Sequence, residues 1–147
     1  MRVSELMGST EFSIGITALD QEQQRLFSLF NTLARLSESQ EPADRFVEAF
    51  ERFVDAVDEH FAHEEHVLRN IGFPDYAAHK AAHEHFLADA RDFQDGLRRG
   101  SLTSQDFSTI ARYVRYWLLH HVQHFGRKVD HFINAGWPAS RQHANAR

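Results

Sequence analysis

At 147 residues, with 42% hydrophobic and 25% charged side chains, the chain has the makeup of one soluble domain built around one core. Its formal charge of −5 includes no basic block, and no apolar run approaches the roughly 20 residues of a spanning helix, so neither nucleic acid nor a membrane is expected as a partner. Cysteine is absent, which removes disulfides, thiolate metal sites and cysteine nucleophiles and leaves side-chain nitrogen and oxygen as the donors for any metal. Three prolines and seven glycines leave room for few breaks, so long helices are expected. Residues 1–16 lack the basic start and apolar centre of a secretory signal, and the expected compartment is the cytoplasm.

The first periodic segment runs from about Asp20 to Leu36. Leu19, Gln23, Leu26, Phe30 and Leu33 alternate at spacings of four and three, which is one helix face, with Asp20 as a candidate cap and Gln23 as an inward polar residue. Residues 37–42 read as a loop that places Pro42 at the start of a second helix. That helix carries Phe46, Phe50, Phe53, Val57, His60, Glu64 and Leu68 on one face and ends before Ile71-Gly72-Phe73-Pro74. A third runs from Tyr76 through His79, His83, Phe86, Ala90, Phe93 and Leu97, with Gly100 suited to its C-terminal cap. The fourth starts near Ser104, a candidate N-cap, and places Phe107, Ile110, Val114, Trp117, His121, Phe125 and Phe132 on its stripe before Gly136 and Pro138. Long amphipathic helices joined by short connections predict an all-α fold, an antiparallel up-down-up-down four-helix bundle.

Thirteen phenylalanines fill such a core, but eleven histidines need a different account. Residues four apart on a helix lie about one turn, roughly 6 Å, apart on one face, so His60 with Glu64 and His79 with His83 each aim two donors inward. His121 follows Trp117 on the inward face of the fourth helix. Burying an uncompensated polar group costs roughly 1–3 kcal/mol, so five such groups in one layer point to a bound cation rather than to isolated core histidines. His63, His66, His85 and His143 fall off the inward stripes and are expected in solvent. His120, His124 and His131 are read first as surface residues, although His120 and His124 are also four apart and can chelate.

Together these pieces resemble the bacterial hemerythrin family, over about residues 14–132. The resemblance rests on Ile14-Gly15-Ile16 with Leu19-Asp20 and Leu26, on His60-Phe61-Ala62-His63-Glu64-Glu65, on Gly72-Phe73-Pro74 with His79 and His83, and on Trp117-Leu118 with His121. It implies a hemerythrin-like metal-binding domain over residues 1–136, including an N-terminal arm, and a polar C-terminal tail over 137–147. It further implies non-haem iron, paired in the family, with His60, Glu64, His79, His83 and His121 as metal ligands and dioxygen or another small diatomic or oxidant as partner.

Two family ligands are replaced. Gln23 stands where the family has a histidine, and Gly126 stands where it has a bridging aspartate. The iron served by His79, His83 and His121 keeps its histidines, whereas the one served by His60, which offers the open position for oxygen, loses a ligand and a bridge. A normal di-iron pair is therefore not expected. Gln23 can still offer an amide oxygen, a weaker donor than imidazole. The expected function is oxygen or redox sensing or handling at an altered iron site. The alternatives are a metal-dependent enzyme acting on peroxide, nitric oxide or oxygen, and a structural or interaction module whose site is vestigial or filled by zinc. The enzyme is the less favoured, because the sequence offers no separate nucleophile, general base or cofactor loop.

Overall fold

The structure, a computed structural model, describes residues 16–136. Within them the chain forms α1 (Thr17–Ser37), α2 (Ala43–Asn70), α3 (Tyr76–Arg98) and α4 (Ser104–His131), followed by a π-helical turn over Phe132–Gly136. No strand occurs among the described residues. The connections, residues 38–42, 71–75 and 99–103, are too short for anything but antiparallel neighbours. Helix α1 packs on α2 and α4, and α2 packs on α3, giving the four-helix bundle expected from the periodicity. The proposed N-terminal arm before Ile16 and the tail over 137–147 lie outside the described residues.

Local chemistry sets the helix ends, in two cases differently from expectation. Helix α1 begins at Thr17, so Asp20 lies within its first turn, where its charge complements the helix dipole, and does not cap it. Helix α4 is capped by Thr103 and not by Ser104. The Thr103 hydroxyl accepts from the Asp106 amide, and the Asp106 carboxylate accepts from the Thr103 amide, a reciprocal capping box. Gly100 leaves α3 with a φ of +68°, the left-handed conformation that glycine adopts without a Cβ penalty.

The phenylalanine stripes make the larger part of the core. Phe27, Phe30, Phe46, Phe50, Phe53 and Phe86 are fully buried, each contributing about 1.5–3 kcal/mol by leaving water. Phe46 stacks on Phe107 across the bundle at 4.4 Å between ring centroids. A smaller apolar group, Leu19, Leu68, Phe73 and Val129, closes the other end. On α4 the buried line runs through Val114, Leu118, His121, Val122 and Val129, while Trp117, Phe125 and Phe132 are only half-buried. A stripe repeated by threes and fours drifts over a helix this long, and Leu118 and Val122 take the inward positions beside His121.

Candidate metal centre

Where the two apolar groups meet, the core turns polar. His60, Glu64, His79, His83 and His121 are all buried, from α2, α3 and α4, at 8% exposure or less. One carboxylate organises them. Glu64 Oε1 pairs with His79 Nε2 and lies 3.2 Å from His83 Nε2 and 3.8 Å from His121 Nε2. Glu64 Oε2 faces His60 Nε2 at 3.4 Å. One donor atom from each of Glu64, His79, His83 and His121 lies within 4.8 Å of the others. His60 stands to one side of this group of four. Gln23 is half-buried and lines, with His60, Glu64, His79, His121 and Gly126, a cavity of about 20 Å³, room for roughly one water.

Stacking and hydrogen bonding fix the rings. His83 lies on Phe61 at 3.7 Å between centroids, and His121 lies on Trp117 at 4.5 Å. His83 Nδ1 bonds Glu65 Oε2 at 2.8 Å, and His60 Nδ1 bonds Glu22 Oε1 at 2.8 Å. The second oxygen of Glu22 takes His63 Nδ1 at 2.7 Å. His63 is therefore not a solvated bystander as its off-stripe position suggested. It is half-buried and shares with His60 the carboxylate that orients both. His66 and His85 are exposed as expected, and His143 lies outside the described residues. Glu22 and Glu65 neighbour Gln23 and Glu64 in the chain, but the register that lets each reach a histidine ring on the next helix is a tertiary property that spacing does not reveal.

Burial and charge act against each other here. Burial pushes the Glu64 carboxyl up, but His121, His60, His79 and His83 together hold it well below the ordinary 4.5. Burial pushes His83 down to about 3 despite Glu64, and likewise lowers His121. Burial also opposes charge on His60, yet Glu64 and Glu22 on its two nitrogens raise it above the ordinary 6.5.

A neutral His83 has a single N–H, and its Nδ1 contact with Glu65 places that proton there. Its Nε2 lone pair then points at Glu64 Oε1, 3.2 Å away, and at His121 Nε2, 3.0 Å away. Two acceptors cannot bond each other, so the pair of His83 and Glu64 is repulsive unless a cation lies between them. His79 Nδ1 and His121 Nδ1, the nitrogens on the far side of each ring from Glu64, are buried with no hydrogen-bond partner among the described residues, so no outer bond fixes the tautomer of either ring. The donor set fits one divalent metal held by His79, His83, His121 and Glu64. It does not fit a second on equal terms, because Gly126 brings no donor and Gln23 no imidazole, which leaves His60 Nε2, 3.4 Å from Glu64 Oε2, to serve that side.

A helical bundle with three histidines and a glutamate buried in one layer belongs to the class of proteins built to hold a non-haem metal between their helices. Comparison with known proteins makes the class particular. Residues 14–124 match the hemerythrin HHE cation-binding domain, and the chain belongs to that family. It is 29% identical to a bacteriohemerythrin of Stenotrophomonas maltophilia, over 80% of this chain and 74% of that one. It is 27% identical to a bacteriohemerythrin of Methylococcus capsulatus, over 83% and 88%. A hemerythrin-like protein of Naegleria gruberi shares 27% over 78% and 82%. A wild-type hemerythrin crystal structure superposes with a TM-score of 0.73 at 25% identity, over 86% of this chain and 92% of that one. No helix among the described residues is long and apolar enough to cross a membrane.

Proposed function

We propose that this chain holds one iron through His79, His83, His121 and Glu64 and serves in oxygen or redox sensing or handling. The observation that carries the reading is that the His83 Nε2 lone pair and Glu64 Oε1, two acceptors, stand 3.2 Å apart with a donor atom of His79 and of His121 beside them, a contact that a cation between them relieves. Bound iron would supply redox chemistry and an exchangeable position for dioxygen or a similar small oxidant. The protein's own part is to keep that position small. Leu26, Phe27, Leu118, Val122 and Val129 line the adjoining cavity, and the side chain of Gln23 offers it one polar group. Glu65 and the Phe61 ring hold His83 in the ligating tautomer and orientation.

A second reading has its own support, since three histidines with one carboxylate is also a donor set that suits tetrahedral zinc. Metal analysis after growth in iron-supplemented and in zinc-supplemented medium separates the two, when combined with absorption spectra taken under air and after its removal. The iron reading predicts retained iron and a visible spectrum that changes reversibly with air. Zinc in both preparations, with no visible absorption, would replace it by the structural reading.

A further inference from the structure

Helix α4 carries a second pair of histidines one turn apart. His120 and His124 are exposed, and their rings lie near-parallel, 5.6 Å between centroids and 9° between planes. Tyr116, exposed at 71%, extends the ladder by stacking on His120 at 6.0 Å. Neither imidazole has a hydrogen bond or ion pair among the described residues. With Gln123, Arg127 and Lys128 the pair lines an open groove of about 360 Å³. The groove is distinct from the buried centre. The Phe125 ring stands between them, 5.1 Å from His124 and 5.0 Å from His121.

We propose that His120 and His124 form a surface chelate for a borderline divalent transition metal such as Zn²⁺, Ni²⁺ or Cu²⁺. Two imidazoles at this helical spacing can share one ion, and rings already aligned by stacking lose little freedom when they do so. Nitrogen donors without a carboxylate in the groove select borderline metals over Ca²⁺ and Mg²⁺. The charge of Lys128 is drawn away by Asp75, 3.4 Å from it, which leaves Arg127 as the groove's opposing cation. With only two protein ligands the remaining positions belong to water, so the ion exchanges readily, unlike one enclosed by the buried four.

The test is a Ni²⁺ titration of the full, untagged chain, followed residue by residue through the imidazole NMR signals. Saturable broadening centred on His120 and His124 is expected. His120→Asn and His124→Asn should each weaken it roughly a hundredfold, because either change converts an intramolecular second contact into none. His85→Asn, an exposed histidine elsewhere, should leave it unchanged. An unchanged affinity in either of the first two variants overturns the proposal. So does a groove that takes inorganic phosphate, seen as saturable shifts of the same signals, while Ni²⁺ leaves them unaffected. A His83→Ala variant should keep this surface response whether or not the buried centre binds, so failure of one site is readable apart from failure of the other.

Discussion

On the side of Glu64 that faces α3 and α4, three imidazoles converge on one oxygen, two of them clamped by aromatic rings and one oriented by Glu65. On the side that faces α1, His60 meets the other oxygen alone, its far nitrogen tied to Glu22, with Gln23 and Gly126 bordering a cavity of water size. The two sides differ in donors, not in burial. A bundle layer of this kind can thus lack donors on one side without losing its packing, because Leu26, Phe27, Val122 and Val129 still enclose that side.

The largest effect should come from breaking the complete side. His79→Ala or His121→Ala should remove nearly all bound metal, measured by elemental analysis, and unchanged stoichiometry in both would sink the ligand assignment. His63→Ala, outside the group of four, should leave stoichiometry intact. Removing the metal from the unmodified protein comes next. An ion at a hundred times its Kd stabilises by about 2.7 kcal/mol, so chelation should lower Tm by on the order of 5–10 °C. An identical melting curve, in protein shown to bind, would mean that the fold does not use the ion.

Smaller effects separate the two orienting carboxylates. Glu65→Gln loosens His83 and should cost roughly 10–100-fold in metal affinity, whereas Glu22→Gln, acting on the depleted side, should cost much less. Equal losses in isothermal titrations would erase the asymmetry. Acid probes the same asymmetry in the metal-free chain. His83 is held at about 3 and His121 is also lowered, so between about pH 6.5 and pH 3 the unfolded chain binds more protons and stability falls as pH falls. Glu64, held well below 4.5, adds to the loss at the acidic end of that window. His60, raised above 6.5, acts oppositely: its contribution is full below that value and is lost as pH rises through its folded pKa. Melting of the metal-free protein should therefore occur at lower temperature near pH 5 than near pH 7. A higher Tm at the lower pH would show that His60 outweighs the complete side.

The fold was legible because each stripe repeats with one period and each break falls at Pro42, at Gly72 with Pro74, or at Gly100. The four converging donors were legible for the same reason, since His79 and His83 share a face by spacing alone, as Glu64 does with the apolar stripe of α2 and His121 with that of α4. What escaped was what depends on register between helices. Nothing in the spacing of Glu22 and His63 says that one carboxylate joins His63 to His60, nor that Glu65 turns back to His83. The capping of α4 by Thr103 was missed by one residue, where two hydroxyl residues in succession compete and Asp106 decides.

The double change Gln23→His with Gly126→Asp sharpens the comparison by returning to the depleted side the donors that the hemerythrin family places there, and it should let a second iron fill more readily. The most direct test needs no variant. Iron per chain, counted after anaerobic reconstitution and removal of loosely held ion, should be one, with His79, His83, His121 and Glu64 accounting for it. Two tightly held irons, with the reversible oxygen-dependent absorption of a paired centre, would contradict the account and make Gln23 or a neighbouring group a full ligand.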